Sequence, residues 1–130
     1  MSFERIDRVE TFEAAADLSA KQFYIMKLAS ATTINVADSA AVAIGVLQDK
    51  PKSGEQGNVA MIGAGGISRV VSDGSGTAIA AGDRVKANAS GKAVKAATDK
   101  DRAIGLAREA SSADGTIIAV DFGFAGDLSV

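Results

Sequence analysis

Residues 81–96 read Ala-Gly-Asp-Arg-Val-Lys-Ala-Asn-Ala-Ser-Gly-Lys-Ala-Val-Lys-Ala. Two short runs, 83–87 and 92–97, carry Val and Ala among Arg and Lys and read as half-buried strands. Between them, Asn88-Ala89-Ser90-Gly91 has turn chemistry. Asn88 can open a type I turn, and Gly91 can take the left-handed position that closes it. Folding on that turn sets Val85 opposite Val94 and leaves Arg84, Lys86 and Lys95 to face water. A hairpin of this kind predicts an all-β chain.

The same punctuation extends in both directions. From Gln22 onward, short Val- and Ile-rich runs alternate with Gly-, Ser- and Asp-rich breaks at the spacing of sandwiches and barrels. The strand windows are 22–28, 33–36, 42–48, 57–62, 66–72, 83–87, 92–97, 102–109 and 115–122. Lys52-Ser53-Gly54-Glu55, Asp73-Gly74-Ser75-Gly76 and Ala113-Asp114-Gly115 are turn strings like 88–91. Pro51 falls in a break, where it interrupts no ladder.

A shift of 60 residues superposes much of this pattern on itself. Ala43-Ile44-Gly45 falls on Ala103-Ile104-Gly105, Gly63 on Gly123 and Gly66 on Gly126. Ala29, Ser30 and Ala37 fall on Ala89, Ser90 and Ala97. Ile25, Ile34 and Val46 meet Val85, Val94 and Leu106. The order is hairpin, Ala-Ile-Gly strand, polar loop, apolar strand in both halves. This predicts a small barrel or sandwich made of two similar β-modules over residues 22–130.

Residues 1–21 have a different texture. Phe3, Ile6, Val9 and Phe12 recur every third residue among charged neighbours, which suits a short amphipathic helix or an extended arm. Ala14-Ala15-Ala16-Asp17-Leu18-Ser19 reads as a turn of helix or a loop. The expectation is an N-terminal arm ahead of a single β-domain. Its apolar residues, with Arg5 and Arg8, either pack on that domain or contact a partner.

Composition narrows the function. The chain has 130 residues, with 26 Ala and no Cys, His or Trp. This removes a thiol nucleophile, a His-based general base, a Ser-His-Asp triad and zinc or haem sites that need imidazole or thiolate. A net charge of −2 opposes nucleic-acid binding, which needs a basic face. No apolar run reaches the ~20 residues of a membrane-spanning helix.

Three strings invite a site and are outweighed by plainer readings. Gly63-Ala64-Gly65-Gly66 lacks the Gly-Lys pair and following helix of a phosphate loop, and reads as a tight strand connection. Asp73, Asp99 and Asp101 lack the spacing and the final Glu of a calcium loop, and read as turn acids. Ile25-Met26-Lys27-Leu28 faintly resembles biotinyl and lipoyl carrier domains, yet Lys27 lies inside an apolar run rather than at a turn. No catalytic, cofactor or metal residue is expected. A carrier-type sandwich and a virion-displayed carbohydrate-binding module stand as alternatives.

The order AIGVLQDKPKSGE, GGISRVV, AAGDRVKANASGKAVKA, DRAIGLARE and ADGTIIAVDF resembles the decoration, or cement, proteins of tailed-phage capsids. It covers residues 22–124, most specifically Ala81–Ala96 and the two Ile-Gly strands. The resemblance implies a β-tulip-like, non-enzymatic domain on the outer capsid surface, made in the host cytoplasm during assembly. It implies binding to the major capsid protein, stabilisation of the lattice, and trimers at three-fold positions. On this reading Phe3, Arg5, Ile6, Arg8, Val9 and Phe12 contact the capsid or a neighbouring subunit. Val59–Ile62 or Ile117–Val120 are expected at subunit contacts.

Overall fold

The computed structural model describes residues 4–39, 41–98 and 101–127. Among them the chain forms strands β1 (Arg5–Ile6), β2 (Val9–Ala14), β3 (Ile25–Leu28), β4 (Thr33–Val36), β5 (Gly45–Leu47) and β6 (Gln56–Met61). A 3-10 turn over Ile62–Ala64 leads to β7 (Gly66–Asp73), β8 (Arg84–Ala87), β9 (Ala93–Lys95), β10 (Arg102–Ala103), β11 (Gly105–Ala107) and β12 (Asp114–Asp121). A second 3-10 turn, Phe122–Phe124, precedes β13 (Gly126–Asp127).

These strands close into two five-stranded barrels. The first runs β2-β4-β3-β5-β6, and β6 returns antiparallel to β2. The second runs β7-β9-β8-β11-β12, and β12 returns antiparallel to β7. In each, the first strand is parallel to the third, by β2–β4 and by β7–β9. The remaining pairs are antiparallel in both. The 60-residue shift therefore carries one barrel onto the other: β5 falls on β11, and the first 3-10 turn falls on the second. Closure leaves the barrel walls without the unpaired edges of an open sheet.

Two glycines of the repeated Ile-Gly strands make this closure possible. A Cβ on Gly45 would overlap the Ala60 carbonyl, and one on Gly105 would overlap that of Asp121. The backbones approach too closely there for any side chain.

The barrels share one core. Ile25, Val46, Ala60 and Ile62 of the first pack with Val70, Val85, Ile104, Ile118, Val120 and Phe122 of the second. A smaller cluster (Ala14, Leu18, Met26, Ile34, Leu47 and Val59) belongs to the first barrel alone. Burial of each large side chain contributes roughly 1.5–3 kcal/mol, so the shared cluster is the largest single reason for the two to fold as one unit. Backbone bonds cross the seam as well. Ile25 N–H donates to Gly91 O at 2.9 Å, and Val71 N–H donates to Phe23 O at 2.9 Å. Phe23 itself holds φ at 68°, a left-handed conformation that costs a non-glycine residue about 1–3 kcal/mol. Its own N–H bond to Leu47 O, at 2.7 Å, fixes it from the other side.

The structure decides or corrects the sequence reading in four places. Of the two expectations for the N-terminal segment, residues 9–14 take the extended one and not the helix, as a barrel strand paired with β4 and β6. Its inward positions are Glu10, Phe12 and Ala14, and Val9 points out. In the hairpin, Val85 faces Lys95 and Val94 faces Lys86, one residue away from the expected register. The window 102–109 breaks at Ile104 into β10 and β11. Finally, Val59, Ala60, Ile62, Ile118, Ala119 and Val120 are buried in this chain's own barrels, which removes them as subunit contacts.

Candidate functional site

Of the N-terminal candidates, Phe3 lies outside the described residues. Ile6 packs against the shared core, and Phe12 packs against the first barrel's cluster. Their apolar surface is thus largely spent within the chain. Arg5 pairs with Asp7 at 3.5 Å, and Arg8 pairs with Glu10, all near the surface. Val9 stays 49% exposed. The structure leaves Arg5, Arg8 and Val9 as an exposed group and turns Ile6 and Phe12 inward.

The hairpin residues take the places their chemistry suggests. Asn88 accepts at its side chain from the N–H groups of Ser90 and Lys92, and Gly91 has φ at 75°. The tip does more than turn, because Gly91 is pressed against Val36 and Ala37 of the first barrel.

The other strings resolve as structural. Gly63–Gly66 connects β6 to β7 through the 3-10 turn. Asp73 accepts from Ser75 N–H at 3.0 Å within its own turn. Asp101 accepts from the N–H groups of Thr98 and Ala97 and from Lys86 Nζ at 2.9 Å. The Thr98 N–H bond first, then the Lys86 ammonium, hold its carboxyl below the ordinary value of 3.8. Asp99 lies outside the described residues. Lys27 sits in mid-strand on β3, paired with Asp38 at 3.1 Å, and not at the hairpin tip a carrier lysine would need.

A surface that no sequence string announced lies where the barrels meet. Val42 and Ala43 of the first barrel, Ile62 of its 3-10 turn, and Ala103, Ile104 and Ala125 of the second line an apolar cleft of about 410 Å³. Val42 is 65% exposed, and Phe124, beside Ala125, is 51% exposed. Arg102 and Ala43 also border a smaller polar hollow of about 240 Å³, whose acids Asp38 and Asp101 are matched by Lys27 and Lys86. The apolar cleft draws on positions 60 residues apart, 42–43 and 102–104, together with Ile62, Ala125 and Gly126. Such a site exists only once the two modules are side by side. Large apolar side chains exposed at a cleft rim mark a contact surface.

Two barrels fused through one core, with an apolar cleft across the junction, define a β-barrel contact module. The sequence signature of phage cement proteins matches residues 5–122, and the chain belongs to that family. It is accordingly a structural protein of the capsid surface. Among solved structures, the head fiber gp8.5 N base in bacteriophage phi29 is similar, with a TM-score of 0.67. That match covers 95% of this chain and 98% of the other at 15% identity, a likeness of fold. Comparison with curated proteins gave no match.

Proposed function

We propose that this protein decorates the outer face of an assembled phage capsid and holds neighbouring major capsid subunits together by binding alone, without catalysis. The family match over 5–122 carries this reading. The cross-barrel cleft with Val42 and Phe124 supplies one contact, and the exposed Arg5, Arg8 and Val9 supply a second. A copy held at two points on different capsid subunits gains avidity, because the second engagement is intramolecular. Three copies around a three-fold position complete the arrangement.

The test is reconstitution. Purified protein is added to capsids lacking it, and the particles are sedimented and heated. Saturable co-sedimentation and a higher temperature of DNA release are expected. Particles that neither bind the protein nor change their stability would contradict the proposal.

A further inference from the structure

The two barrels differ at one matched position. In the second, residues 102–103 form β10 and pair with β13, Arg102 with Asp127 and Ala103 with Gly126. The 60-residue equivalents in the first barrel are Val42 and Ala43. They belong to a run whose composition reads as strand from residue 42, yet the strand begins only at Gly45. The counterpart of β13 is occupied, because Gly66 and Ile67 pair with β1 and Ile67 pairs with β12 on its other edge. Among the described residues, the N–H groups of Val42 and Ala43 meet no backbone acceptor. These two residues form one wall of the apolar cleft.

We propose that this cleft accepts an extended segment of the capsid protein, which pairs with Val42–Ala43 as β13 pairs with β10. Main-chain bonds to an unpaired edge supply affinity, and the flanking pocket selects the side chains. The pocket selects apolar, uncharged residues. Its lining is Val, Ala, Ile and Gly with one cation, Arg102, which is itself partnered, and the acids of the neighbouring polar hollow already have cations at 2.9 and 3.1 Å. A charged side chain entering there would lose water without gaining an unspent partner. The second barrel's own use of Gly126 in this position shows that a small residue fits the pairing. This inference rests on the capsid-binding reading and names the partner's conformation and chemistry.

Hydrogen exchange on particles tests it. The full-length protein is mixed with capsids lacking it, and exchange at Val42 and Ala43 is compared free and bound. Slowing of at least about tenfold at these two amides is expected, with little change at the exposed loop amide of Ser53. Val42→Asp is expected to lower particle affinity at least about tenfold, whereas Leu28→Asp, on an exposed strand position, leaves it within about twofold. Unchanged exchange at both amides on protein that does bind overturns strand addition while capsid decoration stands. Full occupancy by Val42→Asp overturns the cleft as the contact. Wild-type protein that binds no particles fails the capsid reading itself, and the inference with it. Circular dichroism of Val42→Asp before the assay separates lost binding from lost fold. Should it unfold, Val42→Ser takes its place under the same criteria.

Discussion

The carbonyl of Gly91 accepts a hydrogen bond from the backbone N–H of Ile25 at 2.9 Å, which seats the hairpin tip of the second barrel on a strand of the first. Gly91 therefore has two reasons to be glycine. Its φ is 75°, and a Cβ would overlap Val36 Cγ1. Gly91→Val is expected to lose about 2–5 kcal/mol, from left-handed strain and overpacking together. Ala89→Val, two residues away on the exposed tip, should stay within about 0.5 kcal/mol of wild type. Chemical denaturation of the pair checks this, and equal midpoints would contradict the seam.

The matched glycines offer a test of the duplication. Gly45→Ala and Gly105→Ala each drive a methyl into a neighbouring strand's carbonyl, at Ala60 and Asp121. Both should destabilise by about 1–3 kcal/mol, the range for overpacking a fixed backbone. Gly63→Ala meets nothing within 4 Å and should be close to neutral. Thermal melts of the three variants make the comparison. A benign Gly105→Ala beside a damaging Gly45→Ala would show that the barrels do not close in the same way.

Much of this architecture was legible before the fold, and the exceptions have physical causes. The hairpin, the repeat and the strand windows from Gln22 onward rest on local turn chemistry and on Gly45 and Gly105, which sequence displays directly. The register of 84–95 slipped by one because Val85 and Val94 sit among Lys and Ala, so either parity leaves an apolar residue in reach of the core. Strand β2 was hidden because Glu10 occupies an inward position while Val9 points out, which breaks the alternation that marks a strand. The cleft was not legible at all. Its residues come from four separate segments, and the repeated Ala-Ile-Gly string that supplies Ala43, Ala103 and Ile104 does not show that its two copies face each other; the unpaired stretch at Val42–Ala43 showed only as a strand window longer than the strand.

The shared core predicts one cooperative unfolding transition. Leu47→Ala, in the cluster private to the first barrel, and Ile118→Ala, in the shared cluster, should each cost about 2–5 kcal/mol. Both should move the same single transition in calorimetry. Two resolved transitions, with Leu47→Ala shifting one alone, would mean that the barrels unfold independently.

Asp101 ties stability to pH. Its carboxyl is held below its ordinary value by the Thr98 N–H, the Lys86 ammonium and the Ala97 N–H. The folded state therefore favours the ionised form. That stabilisation is complete above the unfolded value of 3.8 and is lost as pH falls through the lower, folded value. Asp101→Asn should melt below wild type at pH 7, and the gap should narrow as pH falls below 3.8 and through the lower, folded value. A gap that stays constant from neutral to acid pH would remove Asp101 as its source.

The central claim is that this tandem barrel sits on the outside of a capsid with its cross-barrel cleft against the shell. A cryo-electron microscopy map of reconstituted particles tests it most directly. The account predicts density for both barrels on the outer surface, with Val42 and Phe124 at the shell and each copy touching more than one capsid subunit. Barrels bound with that cleft turned to solvent, or density confined to the inner face of the shell, would contradict it.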